Sequence, residues 1–369
     1  MRIQKYILLV VGILLGLNLD SHGQFGLITG KKAEEGTATN YSLILSRAED
    51  DFEKGNLSKI EKNLEPGFEK GGFSKEEIIR AHRLLTLVHL FSDNEPKAEL
   101  ELIQLLKSDP EHPINPLTDP AEFQYLYQKF RTKPIFRIAV NAGANRTDVN
   151  TIQRFGTTNT IDHRESIAPK IGTQIGLAIE REFGFKGLEA SLGVMYTAKK
   201  YSLTKAVIGV EGDAFSELNF TEAANYLDVP LMLRYNIDLD SKMIPFVFGG
   251  AEGNMLIGSS RKQGTRSGAQ TISATDQTLK TTEERNNLNY AIIAGLGFKY
   301  KLKTHFFKFE LKYSKGQTNV VNSDNRYVDQ TTVFRLAQVD DNQSLDAISA
   351  NIGYVLSIYN PRKLKKYRK

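Results

Sequence analysis

Eight charged residues stand at alternate positions inside otherwise apolar segments: Lys170, Glu180, Glu189, Asp228, Arg234, Lys308, Glu310 and Lys312. Alternate side chains of a strand share one face, so these residues predict a charged face opposite an apolar one. If that face is closed to bulk water its charges must pair, since an unpaired buried charge is strongly disfavoured. Two chemistries are open to such a set: a structural plug of ion pairs, or a path for protons or ions. The plug is the simpler reading. Other candidates are sparser. His82 and His89 lie seven apart on one helix, two turns from each other, too far for a single metal; His22, His112, His163 and His305 are scattered. Asp162-His163 could act as an acid–base pair for a nearby serine, but spacing identifies no partner. Asp238-Asp240 and Asp340-Asp341-Asn342 carry oxygens suited to calcium, in residue types that turns favour anyway. Gly249-Gly250, Gly295 and Gly297 fall within apolar segments, where glycine marks bending or close packing. No phosphate-binding loop, zinc motif or dinucleotide fingerprint occurs, and no cofactor is expected.

The elements that must position these residues follow from composition and period. The chain has 369 residues with 48 Lys+Arg, 43 Asp+Glu, no Cys and no Trp. Lack of cysteine excludes a disulfide scaffold, a thiolate metal site, a cysteine nucleophile and lipidation at an N-terminal cysteine. A mean hydropathy of −0.34 excludes a polytopic helical membrane protein but not a β-barrel, whose strands alternate. Residues 1–23 read as an export signal: Arg2 and Lys5, an apolar stretch from Tyr6 to Leu19, then small Ser21 and Gly23 before a cut at Gln24. Residues 24–40 read as a linker. Residues 41–133 carry a helical period, with a capping box at Ser74/Glu77, a helix opening near Pro96, and a last helix starting at Asp119-Pro120 as cap and first helical residue. Paired helices of this length predict a tetratricopeptide-like α-helical domain.

At Pro134 the period changes to two. Eight strands are expected, over 134–144, 168–181, 187–199, 225–236, 243–256, 287–300, 305–314 and 346–360. Long and short connections alternate strictly, the pattern of an outer-membrane barrel, and an even strand number closes the sheet without an edge. A soluble barrel of the lipocalin kind also alternates, but it turns its polar face to water. Here the polar face is rich in glycine, serine, asparagine and both charge signs, which suits a narrow filled lumen. Tyr196, Tyr226, Tyr235, Tyr300, Tyr313, Tyr354 and Tyr359 fall near strand ends, where an aromatic girdle would lie. The fold class expected is therefore α+β and multidomain: a helical domain followed by an eight-stranded antiparallel transmembrane barrel over 134–360. An even strand count places the helical domain and residues 361–369 on the periplasmic side, and the loops near 155, 212, 272 and 330 outside the cell.

The run Tyr226-Leu227-Asp228-Val229-Pro230-Leu231-Met232-Leu233-Arg234-Tyr235, followed by Pro245-Phe246-Val247-Phe248-Gly249-Gly250, resembles two successive strands of the PorT-like outer-membrane β-barrel family. Its marker positions here are Tyr226, Pro230, Leu231, Arg234 and Tyr235, and Pro230 is expected at a bulge or bend because proline cannot donate to the ladder. The resemblance implies an eight-stranded barrel in a Gram-negative outer membrane, with roles in some members in protein export or surface assembly. This chain departs from it in the added helical domain and in a basic end.

That end carries Arg362, Lys363, Lys365, Lys366, Arg368 and Lys369. They contribute +6 and the export signal +1, so the formal +5 of the whole chain leaves −2 for everything between. The charge is thus not that of a nucleic-acid-binding body. The tail is either simply solvated or docks on anionic lipid or an acidic envelope partner. The expected function is a non-enzymatic outer-membrane protein presenting a periplasmic helical interaction module, in envelope assembly, export or scaffolding. The expected partners are outer-membrane lipid and a periplasmic or envelope protein. The alternatives are a surface receptor or adhesin acting through the outer loops, and a small barrel hydrolase or acyltransferase.

Overall fold

The computed structural model describes residues 40–155, 165–185, 187–207, 216–239, 241–267, 272–273, 278–328 and 339–364. The export signal, nearly all of the linker, Asp162, His163, Asp240 and the last five residues of the tail lie outside these. Five helices come first: α1 (Tyr41–Glu53), α2 (Ile60–Glu69), α3 (Lys75–Phe91), α4 (Glu95–Ser108) and α5 (Ala121–Gln128). The α3 start is the expected capping box: the Glu77 amide donates to Ser74 Oγ at 3.3 Å and the Ser74 amide to the Glu77 carboxylate at 2.8 Å. Helix α4 opens on Asn94, which accepts from the Lys97 amide at 3.3 Å, with proline in its first turn. Helix α5 differs from expectation. Pro120 itself holds the cap position, and Asp119 turns back to accept from the Asn115 amide at 2.8 Å and to pair with Arg83 at 2.5 Å. An amide and a guanidinium outbid the helix start for one carboxylate. The apolar faces form two clusters, one around Leu45, Ile60, Leu64 and Leu85, the other around Leu87, Leu102, Leu106, Phe123 and Leu126.

Eight long strands follow: β1 (Phe136–Gln153), β2 (Glu165–Glu182), β3 (Leu188–Val207), β4 (Ser216–Asn236), β5 (Met243–Ser267), β6 (Leu288–Leu302), β7 (His305–Gly316) and β8 (Asn342–Ile358). Each pairs antiparallel with its sequence neighbours, and β1 pairs with β8, so the sheet closes on itself. Every expected strand is present. Several run further than the apolar period indicated, with β3, β4 and β5 reaching 20, 21 and 25 residues. A tilted strand crosses a bilayer in about 9–11 residues, so these strands project well beyond it, and only at one end. The turns at the other end, beside the helices, stay short: residues 183–187, 237–242 and 303–304.

The facing decides between the two kinds of barrel. Ile171, Ile175, Ile179, Leu192, Leu231, Leu233, Leu296, Leu311 and Ile352 point outward and are exposed, while the charged positions are buried inside. A soluble barrel would show the reverse. From Leu227 to Tyr235 the outward apolar band on β4 is about 20 Å tall at roughly 3.4 Å per residue and a tilt near 40°. Tyr235, Tyr300 and Phe307 rim the band on the helix side, and Tyr290 and Tyr313 lie toward the far side. Tyr226 is not part of any girdle: it is buried in the lumen. Pro230 is not at a bulge either. It sits in unshifted register opposite Glu252 and only interrupts pairing with β3 beside Gly193 and Val194, while the nearby bulge falls at Asn225/Tyr226. The missing proline donor thus opens the ladder locally without moving the strand.

Candidate functional site

The lumen holds the charges in three tiers. In the helix-side tier Arg234 on β4 is fully buried and its guanidinium meets Glu180 at 2.9 Å, Glu189 at 2.5 Å and Glu310 at 3.2 Å, while its plane lies 4.6 Å from the Phe246 ring centre. Lys299 reaches Glu180 at 3.0 Å and Glu189 at 2.8 Å, and Lys308 reaches Glu180 at 2.9 Å. Arg137 completes the tier against Glu189 at 3.0 Å and Glu182 at 3.3 Å. Four cations therefore face four carboxylates, which is the balance a water-poor interior demands. The rings of Phe246 and Phe248 fit because β6 has Gly297 and Gly295 opposite them, where an added Cβ would fall 2.6 Å and 2.4 Å from ring carbons.

In the middle tier Lys312 pairs with Glu252 at 2.5 Å, and the Asn254 amide donates to Asp228 at 2.7 Å and to Glu252 at 2.9 Å. The Lys199 ammonium lies 5.0 Å from the centre of the Tyr226 ring. A cavity of about 10 Å³ beside Lys199, Tyr226 and Asn254 has room for one water. In the far tier Glu222 and Asp340 bind two buried arginines. Arg261 meets Glu222 at 3.0 Å and Asp340 at 2.7 Å; Arg285 meets Glu222 at 2.5 Å and Asp340 at 2.7 Å. Burial opposes ionisation of Asp340, but the two guanidinium groups hold its carboxyl well below the usual range. The segment from Val320 to Arg326 closes over this tier: Val320 and Val321 are buried, and Arg326 stacks on Phe155 while donating to the Asp340 carbonyl at 2.8 Å.

Seven of the eight residues expected in the lumen are there. Lys170 is not: a bulge between Lys170 and Gln174 reverses the facing of β2, and the side chain is exposed on the outer wall, its ammonium 2.9 Å from Thr221 Oγ1. The lumen also holds Arg137, Lys199, Glu222, Glu252, Arg261, Arg285 and Lys299, which the sequence did not single out, and Asp340, which it offered only as a calcium ligand. Period two on β1 and β6 carried the signal for Arg137 and Lys299. Glu222 and Arg261 lie beyond the apolar alternation of β4 and β5, and Glu252 lies in a glycine-rich strand whose apolar residues fall at both odd and even positions. The oxygens of Asp340, Asp341 and Asn342, candidates for calcium, are engaged by Arg261 and Arg285, the Phe155 amide and Arg326. Among the described residues no group of three or more His, Asp or Glu is placed to hold a metal.

The helix-side mouth carries a cavity of about 280 Å³ lined in part by Lys133, Arg137, Glu182, Asn236 and Lys299. Beside it the chain end ties helices to barrel. The Tyr359 hydroxyl donates to Glu111 at 2.5 Å, and Lys301 at the end of β6 meets the same carboxylate at 2.6 Å. Residues 362–364 pair with the segment after α5: the Arg131 amide donates to the Arg362 carbonyl at 3.1 Å and the Leu364 amide to the Lys129 carbonyl at 2.8 Å. Lys363 of the basic tail is paired with Glu99 on α4.

A closed eight-stranded barrel with an apolar wall and an ion-paired lumen is a membrane-spanning protein by construction. The chain belongs to the outer membrane protein beta-barrel domain family, whose model matches residues 127–322, more than half of its length. Among solved structures it is similar to the outer membrane protein OprG from Pseudomonas aeruginosa, with 13% identity, 62% of this chain and 98% of that chain covered, and a TM-score of 0.33. It is also similar to Neisserial surface protein A, with 11% identity, 60% and 97% covered, and a TM-score of 0.29. A third is the attachment invasion locus protein Ail of Yersinia pestis, with 11% identity, 60% and 99% covered, and a TM-score of 0.27. No curated protein matches the chain.

Proposed function

We propose that the protein is a PorT-like outer-membrane anchor whose filled barrel holds a tetratricopeptide-like interaction module on the periplasmic face, without enzymatic activity, in envelope assembly, export or scaffolding. The observation that carries this reading is the strap of residues 359–364, which fixes the helices against the barrel by two backbone hydrogen bonds and the Glu99 and Glu111 pairs. A module meant only as a spacer has no use for a fixed orientation, whereas one that receives a partner at the membrane does. The ion-paired lumen supports an anchor over a pore.

Absence of cysteine makes a clean test available. Single cysteines are introduced at Leu117, 94% exposed among the helices, and at Val328, 57% exposed at the far end. In intact cells an impermeant maleimide should modify V328C and spare L117C until the outer membrane is opened. Modification of L117C in intact cells would refute the periplasmic placement. A photocrosslinker carried at L117C should capture an envelope protein, while reproducible capture from V328C alone would favour a surface receptor.

A further inference from the structure

We infer that the outer wall of the barrel, at the end away from the helices, binds the phosphate-bearing headgroups of anionic lipid through Lys170, Lys200, Lys262 and Thr221. The inference rests on the membrane reading of the barrel and adds a lipid class and a place to it.

Three observations converge. First, the bulge that turns Lys170 outward sets it in register opposite Lys200 on β3, and both side chains are exposed. Like charges directly opposite on one sheet face oppose pairing, and an anion lying between them relieves that repulsion. Second, the Lys170 ammonium reaches across β3 to Thr221 Oγ1 on β4 at 2.9 Å, and Thr221 is in register opposite the exposed Lys262 on β5. Four neighbouring strands thus bring three ammonium groups and a hydroxyl to one area. Lys280, in register with Ser260, extends it. Arg146 on β1 lies in register with Ile171 on the other flank, with the Asp148 carboxylate at 3.8 Å.

Third, the height is right. The outward row Ile175–Tyr196–Leu227–Met255–Leu288 runs unbroken around five strands at the far side of the apolar band. The row Lys170–Lys200–Ala223–Ser260–Lys280 lies two outward positions beyond it. That separation is about 10 Å along the bilayer normal for strands tilted near 40°. Headgroups occupy this depth, and a lysine stem bends back toward it. A lipid is a better occupant than a free anion because Ile171, 74% exposed, stands beside Lys170 and offers an acyl chain contact that a free phosphate cannot use.

The test compares the full chain with K170Q/K200Q/K262Q and with K170R/K200R/K262R, all folded in detergent and titrated with phosphatidylglycerol or phosphatidylcholine, with bound lipid counted by native mass spectrometry. The wild type should retain phosphatidylglycerol over phosphatidylcholine, the glutamine variant should bind it about tenfold more weakly or worse, and the arginine variant should keep the preference. Equal binding by the glutamine variant, or loss in the arginine variant as well, overturns the inference. Inorganic phosphate that protects the wild type against unfolding as well as phosphatidylglycerol does would overturn it in favour of a free anion. Incorporation into phosphatidylcholine vesicles, followed by the heat-dependent gel shift, tests the membrane reading separately: a chain that fails to insert removes both, while insertion without a lipid preference removes only this one.

Discussion

Arg234 is the residue on which the helix-side tier converges. Its guanidinium is the shared partner of Glu180, Glu189 and Glu310, and all four are buried. Removing one member of a buried network leaves the others charged and unpaired, which typically costs about 3–5 kcal/mol. Arg234→Met should therefore lower the unfolding free energy of the vesicle-inserted barrel, measured by urea titration, by an amount in that range. Arg234→Lys, which keeps the charge but not the planar fork, should fall between. Lys170→Gln should stay within about 0.5 kcal/mol of wild type, because its side chain stands outside the network; a large loss there would place that side chain among the lumen charges. In the helical domain, burial works against the Asp119 carboxylate, but the Asn115 amide and the Arg83 guanidinium hold it below the ordinary carboxylate range. A depressed carboxyl contributes stability that is present above its unfolded value, near 3.9, and is lost as pH falls through the folded value. The Asp119 contribution to the melting of the helices should thus be constant above about pH 5 and be lost below about pH 4, and Asp119→Asn should flatten part of that acid limb. An unchanged acid limb in the variant would assign the effect to other carboxylates.

At the scale of elements, the strap and the bulge matter most. Deleting residues 362–369 removes the two backbone hydrogen bonds to Lys129 and Arg131 and the Lys363–Glu99 pair. Amide exchange in α5 and at Phe130 should then speed up by an order of magnitude or more, while the barrel amides stay as slow as before. Equal protection with and without the tail would mean that the strap holds nothing. Much of this was legible in the sequence. Alternation within the membrane-spanning stretches between Phe136 and Ile358, with long and short connections in turn, indicated eight strands, their order and the ion-paired interior, because a closed barrel leaves only two faces to choose between. The upper halves of β3, β4 and β5 were not legible: above the membrane the outward face turns polar while Tyr201, Leu203 and Phe220 point inward, so the apolar residues change face and the period is broken while the hydrogen-bonded ladder continues. That is why Glu222 and Arg261 escaped notice. Lys170 failed for a different reason, since one extra residue in β2 flips every position before it, and no composition signal marks such a bulge. Tyr226 was misplaced because a tyrosine near a strand end reads as girdle on either face.

For the whole molecule, the three tiers make the barrel a filled cylinder closed at more than one level. The far tier locks the segment from Val320 to Arg326 across one mouth through Asp340, while Lys312, Glu252, Asn254 and Asp228 fill the centre independently of that lock. Opening and conduction should therefore separate. Asp340→Asn weakens both arginine pairs, so amides of residues 319–326 should exchange faster in the variant. In the wild type they should stay protected from pH 8 to pH 5, because the depressed Asp340 carboxyl remains ionised throughout. In planar bilayers neither protein should pass a steady ion current, since the central and helix-side tiers are untouched by the substitution. A current that appears in Asp340→Asn alone would make the far segment the gate of a real pore. A current in the wild type would refute the filled lumen, and with it the reading of the barrel as an anchor.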